Sequence, residues 1–245
     1  MAKPIMVQSP PVPVSAPAPD TQFVTPVPII SPQYCKPYPF DLAIVRKVKI
    51  FSTGNFIVTD TNGNVILEVK NRALLFTPRR VLIDAVGNPV ATLRKKLMSA
   101  HSRWQVFRGD SEDPCDLAFS VKKPGKLQWM KTTLHVYLAN NKNEDVCDYK
   151  VVESRSNKRS CIIYAGETST VVAHKMYEKR TVKSVLLGKK NFMVTVYPNI
   201  DYAFIVALIT ILDAISEARR RASGASAGGA NAGGANAGGA SAGGF

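Results

Sequence analysis

The chain has 245 residues, with 32 Lys and Arg against 18 Asp and Glu, for a formal net charge of +14. That excess attracts polyanions, anionic lipid or nucleic acid, without choosing between them, and charged residues also guard strand edges against aggregation. Four cysteines without a CxxC pair, and prolines where a signal peptide would carry its apolar core, argue against a disulfide scaffold and predict an intracellular chain with reduced thiols. Ala2 in place of Gly removes myristoylation and the Gly-Gly-Phe245 end has no cysteine to prenylate, so membrane contact is expected to be peripheral and made by the fold itself.

Eleven of the sixteen prolines precede Phe40, which predicts a Pro-rich disordered arm over residues 1–34 of extended polyproline character. Such an arm offers a ligand to a proline-recognition domain, although linkers of this composition are commoner than ligands. From Leu42 onward β-rich runs alternate with turn signals. Val45–Phe51 comes first, with Val48 and Ile50 on one face and Lys47 and Lys49 on the other. Asn55–Asp60 and Val65–Lys70 flank Asn62-Gly63, where two central turn positions tolerate positive φ and a hairpin is expected. Ala73–Phe76 reads as a further strand, and Val81–Asp84 and Val90–Arg94 flank Gly87-Asn88-Pro89 as a second hairpin. Trp104–Arg108, Leu117–Val121, Leu134–Leu138, Tyr149–Glu153, Cys161–Tyr164, Val171–Tyr177 and Phe192–Tyr197 bring the count to roughly a dozen, suited to a closed or nearly closed antiparallel sheet.

The run Tyr202–Leu212 is apolar on every side and bracketed by Asp201 and Asp213, so it is no surface helix. Eleven residues at about 1.5 Å each reach about half of the ~30 Å bilayer core. A helix buried in protein, near 201–217, is what remains. Pro198 ends the preceding strand, Asn199 or Asp201 can cap the first turn, and Arg219, Arg220 and Arg221 stand where cations complement a helix C-terminus. A barrel of a dozen strands has an interior too wide for its own side chains to fill, and an apolar helix fills it. Four Gly/Ala-rich repeats then predict a flexible tail over 222–245, leaving one domain over 35–221.

Three separated segments carry a family likeness: Phe56–Asn64, Arg94–Gly109, and Val194–Ala203 leading into the apolar helix. Through them residues 35–217 resemble the plant LURP-one-related family, which belongs with the phospholipid scramblases to the tubby C-terminal-like superfamily. The resemblance implies a twelve-stranded antiparallel barrel, mainly β, around one central C-terminal helix. It implies little about activity, with some members linked to pathogen defence. Tubby proteins are membrane-tethered transcription regulators that bind phosphoinositide headgroups, but their lipid-binding motif has no residue-by-residue match here. The palmitoylated cysteine cluster and calcium-responsive segment of scramblases are likewise not evident.

Arg94, Lys95 and Lys96 with His101, Arg103 and Trp104 form the densest basic segment that carries an aromatic, a candidate anion or lipid-headgroup site weighed against an ordinary solvated face. Lys179, Arg180, Lys183, Lys189 and Lys190 are a second candidate, whereas Arg155, Lys158 and Arg159 fit a hairpin loop. Asp110, Glu112, Asp113 and Asp116 lack EF-hand spacing and suit a solvated turn. His101, His135 and His174 have no metal-ligand spacing, and no nucleophile elbow, P-loop or dinucleotide fingerprint occurs, so neither a metal nor a cofactor nor catalysis is expected. The chain therefore reads as a non-enzymatic module, cytoplasmic, at a membrane surface or nuclear. It would bind anionic phospholipid, with a protein-interaction scaffold or a nucleic-acid-binding regulator as the alternative.

Overall fold

Burial alternates along most strands in the way a one-sided sheet requires: in β2 (Phe56–Thr59) Phe56 and Val58 are buried and their neighbours half-exposed, and β12 (Phe192–Val196) repeats the pattern. The computed structural model describes residues 23–46, 55–74, 77–96, 103–124, 133–154, 160–177 and 192–228. In it β1 (Phe40–Arg46), β2, β3 (Val65–Leu74), β4 (Thr77–Asp84), β5 (Pro89–Lys95) and β6 (Trp104–Arg108) run antiparallel in chain order. They continue into β7 (Leu117–Lys122), β8 (Thr133–Leu138), β9 (Tyr149–Glu153), β10 (Cys161–Ala165), β11 (Val171–Tyr177) and β12, which pairs with β1 to close a twelve-stranded barrel. Half of the expected strand at Ala73–Phe76 lies outside the described residues, and the other half continues the preceding strand. Ala73 and Leu74 end β3, which pairs with β4 from Leu67↔Asp84 to Leu74↔Thr77. Val45 belongs to β1, which begins earlier than expected, and the rest of the predicted Val45–Phe51 strand falls largely outside the described residues.

The two hairpins predicted from glycine turns exist, but the first is not the two-residue form. Asp60 and Asn64 close it backbone to backbone at 3.0 Å, only Gly63 takes positive φ (88°), and the Asp60 carboxylate accepts from the amides of Asn62 and Asn64. The Asp84–Asn88 loop repeats this arrangement, with Gly87 at φ 98° and Asp84 accepting from Val86 and Asn88. An Asp-x-x-Gly-Asn sequence therefore builds the same turn twice, because a short carboxylate can stand in for a missing backbone acceptor.

The helix α1 (Tyr202–Gly228) fills the barrel. From Tyr202 to Leu212 every residue is buried, and Phe204 meets the rings of Phe119 and Tyr149 at 5.0 and 4.9 Å. Burial ends at Ala218, where the helix leaves the barrel. It continues past Arg221 to Gly228, so Arg219–Arg221 lie within the helix rather than at its C-terminus. Among the described residues no helix is long and apolar enough to cross a membrane.

Of the two caps the sequence offered, Asp201 does the capping. Its Oδ1 accepts from the Phe204 amide at 3.1 Å, while Oδ2 accepts from the amides of Ile29, Ile30 and Ser31 at 3.1, 2.7 and 3.1 Å. Asn199 has a different task. At φ 64° it turns the chain between strand and helix, accepts from the Val27 amide at 2.8 Å and donates its side-chain amide to the Phe23 carbonyl. Residues 23–34, expected in the arm, thus lie against the barrel end, with Ile29, Ile30 and Tyr34 buried in the core and Tyr34 edge-on to Tyr202 at 5.3 Å. Burial pushes the Asp201 carboxyl above its ordinary value, while the four amides pull the other way by favouring the charge.

Replacing Asp201 by Ala removes all four acceptor contacts, three of them fully buried. The unfolding free energy in urea should fall by about 3 kcal/mol or more. A loss below ~1 kcal/mol would mean that water reaches these amides in the variant.

Candidate functional site

At the opposite end the helix leaves through a charged mouth. Asp213 and Glu217, one turn apart on α1, face Arg46 of β1 and Arg80 of β4. Arg46 pairs with Asp213 and, at 2.7 Å, with Glu217, while Arg80 reaches Glu217 at 2.9 Å, Asp213 at 3.5 Å and the Thr210 carbonyl at 3.1 Å. Two cations and two carboxylates balance one another, as buried charges must. Burial pushes the Asp213 carboxyl up, against the pull of Arg46 and Arg80.

Beside this quartet the helix stands off from the wall of β5 and β6, leaving a cleft of about 360 Å³. Register places its polar lining. Lys95 pairs with Trp104 and Trp104 with Val121, and Lys123 follows Val121 by two residues. Leu93, Val106 and Val121 are buried inside the barrel, so by two-fold alternation Lys95, Trp104 and Lys123 share the inward direction at its rim. Arg80, Lys95, Lys123, Arg219 and Arg221 line the cleft against one carboxylate, Glu217, which Arg46 and Arg80 already engage. The apolar wall is supplied by Trp104, Ala214, Ile215 and the helix alanines. Burial pushes the Lys123 ammonium down, and the like charges of Arg219 and Lys95 add to the effect against Glu153. A lysine disfavoured by neighbouring cations gains from any anion that enters.

The predicted segment Arg94–Arg103 is therefore divided. Lys95 enters the cleft, whereas Arg94 points outward to Glu112 at 2.7 Å and Gln105 at 3.2 Å. Arg103 makes a two-pronged pair with Glu144 at 2.8 and 2.5 Å, and Lys122 joins it at 3.0 Å. Lys96 is exposed, and its amide donates to the Arg103 carbonyl. His101 lies outside the described residues, as do Lys179, Arg180, Lys183, Lys189 and Lys190 and the basic loop Arg155–Arg159. Arg219, Arg221 and Lys123 were missed as site residues, and their signal was present: Lys123 lies two residues beyond Val121, and the arginines lie just past the last buried turn of the helix.

The acidic cluster serves the sheet surface. Asp110 pairs with Arg79 and, at 3.5 Å, with Arg72; Glu112 takes Arg94; and Asp113 caps a short 3-10 turn through the Cys115 amide at 3.0 Å. Burial pushes the thiols of Cys147 and Cys161 up to about 12, the opposite of an activated nucleophile. One grouping was hidden by sequence distance: the ligating atoms of His135, Cys147 and Glu167 lie within 4.8 Å of one another.

A family profile described as LURP-one-related matches residues 40–213, the whole barrel and most of the buried part of the helix. The chain belongs to the LURP-one-related family. Protein LURP-one-related 15 of Arabidopsis thaliana is 50% identical over 210 residues, covering 86% of this chain and 94% of that protein. Protein LURP1 of the same plant is 43% identical over 190 residues, 78% of this chain and 90% of the relative. An X-ray structure of an Arabidopsis thaliana protein, 44% identical, covers 77% of this chain and 98% of its own with a TM-score of 0.60.

In this LURP-one-related chain Glu144 gathers Arg103 and Lys122. Burial raises its pKa, but the hydrogen bonds from Arg103 and Lys122 prevail and hold it below the ordinary 4.5. The folded state thus binds this proton less tightly than the unfolded chain. The stabilisation is present above pH 4.5 and is lost as pH falls through the lower folded value. Glu144→Gln should lower the melting temperature at pH 7, with the deficit shrinking in scans taken progressively below pH 4.5. A deficit independent of pH would assign Glu144 a packing role alone.

Proposed function

We propose that this LURP-one-related chain is a non-enzymatic binding module that takes the phosphorylated headgroup of an anionic phospholipid into the cleft at the barrel mouth. On this reading it acts at membrane surfaces, as a tethered regulator with a role in plant defence. The observation that carries the reading is the cleft itself, where Lys95 and Lys123 of the rim line a concave space beside Arg219 and Arg221 of the helix, Arg219 also reaching Glu153 at 3.9 Å. Lysine supplies compact point charges and arginine a forked donor, the combination a phosphate monoester uses. The apolar wall beside them suits the glycerol and first acyl carbons of a lipid. Arg94 and Arg103 do not contribute, since Glu112 and Glu144 hold them.

Flotation of the full chain with phosphoinositide vesicles, against phosphatidylserine vesicles of equal charge, tests the reading at low and near-physiological salt. Binding should keep a headgroup preference at the higher salt, because a shaped site is screened less than a diffuse surface. Lys95→Ala/Lys123→Ala should weaken it by about 2 kcal/mol, roughly thirtyfold, at ~1 kcal/mol per cation. Arg94→Ala/Arg103→Ala should leave it within about threefold, less than a single cation contributes. Equal binding to every anionic vesicle would leave only generic charge and favour a protein partner. Tighter, steeply salt-dependent binding to duplex DNA would favour the nucleic-acid reading.

A further inference from the structure

We propose that His135, Cys147 and Glu167 form a binding site for a divalent transition metal of zinc type, on the outer side of the barrel wall at β8, β9 and the β10–β11 turn. The three side chains come from three elements: β8, the segment leading into β9, and the turn between β10 and β11. Backbone hydrogen bonds hold these elements together. The Asp148 amide donates to the Val136 carbonyl at 2.9 Å, the Gly166 amide donates to the Asp148 carbonyl at 2.7 Å, and Ala165 pairs with Tyr149 in the sheet. The ligand-bearing positions are therefore fixed by the fold before any metal arrives.

The donor atoms are close to what a metal needs. All lie within 4.8 Å of one another, and Cys147 Sγ already donates to Glu167 Oε1 at 3.1 Å. A tetrahedral ion with bonds of roughly 2.0–2.3 Å sets its ligand atoms about 3.3–3.6 Å apart, so side-chain torsions alone can close the remaining distance. One thiolate, one imidazole and one carboxylate suit zinc or its neighbours rather than the hard calcium or magnesium ions, and three protein ligands leave a fourth position for water. The outer contacts fit the same purpose. Tyr137 Oη lies 3.5 Å from His135 Nδ1, and Lys150 donates to Glu167 Oε2 at 2.8 Å, leaving Oε1 toward Cys147.

Protonation states agree with this assignment. Burial lowers the His135 pKa, with Lys150 and Lys122 acting in the same sense against Glu167. Binding exchanges the S–H bond of Cys147 for a sulfur–metal bond and releases the proton to solvent. The metal must drive this release, because burial and Glu167 push the thiol up to about 12.

Cobalt(II) titrated into the reduced, metal-stripped full chain tests the site by absorption. One equivalent should bind with a thiolate-to-cobalt charge-transfer band, and zinc should displace it. Cys147→Ser should abolish the band, while Cys115→Ser, at an exposed thiol outside the cluster, should leave it unchanged. Glu167→Gln, on an exposed turn where folding is not at risk, should weaken binding about tenfold or more. His135→Gln should act alike. No binding, binding without a thiolate band, a band that survives Cys147→Ser, or equal affinity in Glu167→Gln would each overturn the proposal. If Cys147→Ser fails to fold, the Glu167 and His135 variants decide it.

Discussion

The carboxylate of Asp201 is the contact on which the arrangement of this barrel depends. An aspartate has two oxygens with room for about four donors, and here four backbone amides use them, one from the first turn of α1 and three from the segment 29–31. The amides of Ile29, Ile30 and Phe204 are buried and that of Ser31 half-buried, so they need an acceptor. A single side chain thus starts the helix, fixes its depth in the barrel and holds down the strap that closes that end. An asparagine would present two donors to a site made of donors. Burial opposes the charge, as its raised pKa shows, and the convergence of amides is what allows a buried acid to remain there.

The other end solves the exit of the helix by pairing charges instead. Asp213 and Glu217 stand one turn apart, so both face the wall that carries Arg46 and Arg80, and the four side chains neutralise one another. The barrel is left with a mouth that is polar but locally balanced, and with a rim whose remaining cations face the exiting helix. Lys95, Lys123 and the helix arginines line the cleft there together with Glu217, and Arg219 also reaches Glu153 at 3.9 Å. The mouth therefore sets two cations that neutralise the helix carboxylates, Arg46 and Arg80, beside a second group that lines the cleft.

Much of the fold was legible in residue order. Two-fold alternation marked the strands, and the all-apolar run Tyr202–Leu212 admitted no environment except the interior of the protein. The site was legible only in part. Arg94, Lys95 and Arg103 looked like one cluster because they are close along the chain, yet successive strand residues point to opposite faces, so Lys95 turns inward and Arg94 outward to Glu112. Arg103 was counted as a free cation because its partner, Glu144, lies 41 residues away. The segment 23–34 read as tail because prolines mask Ile29, Ile30 and Tyr34, whose burial depends on Asp201 far along the chain.

By itself the sequence determined the class of the fold, the buried helix, the turns at Gly63 and Gly87 and the excess of positive charge, since each follows from periodicity, composition or a local φ requirement. The tertiary structure alone decided which charges pair, that Lys123 and Arg219 join Lys95 at the cleft, and that His135 meets Cys147 and Glu167. These outcomes depend on register and on the closure of β1 with β12, which bring together residues that no local pattern relates.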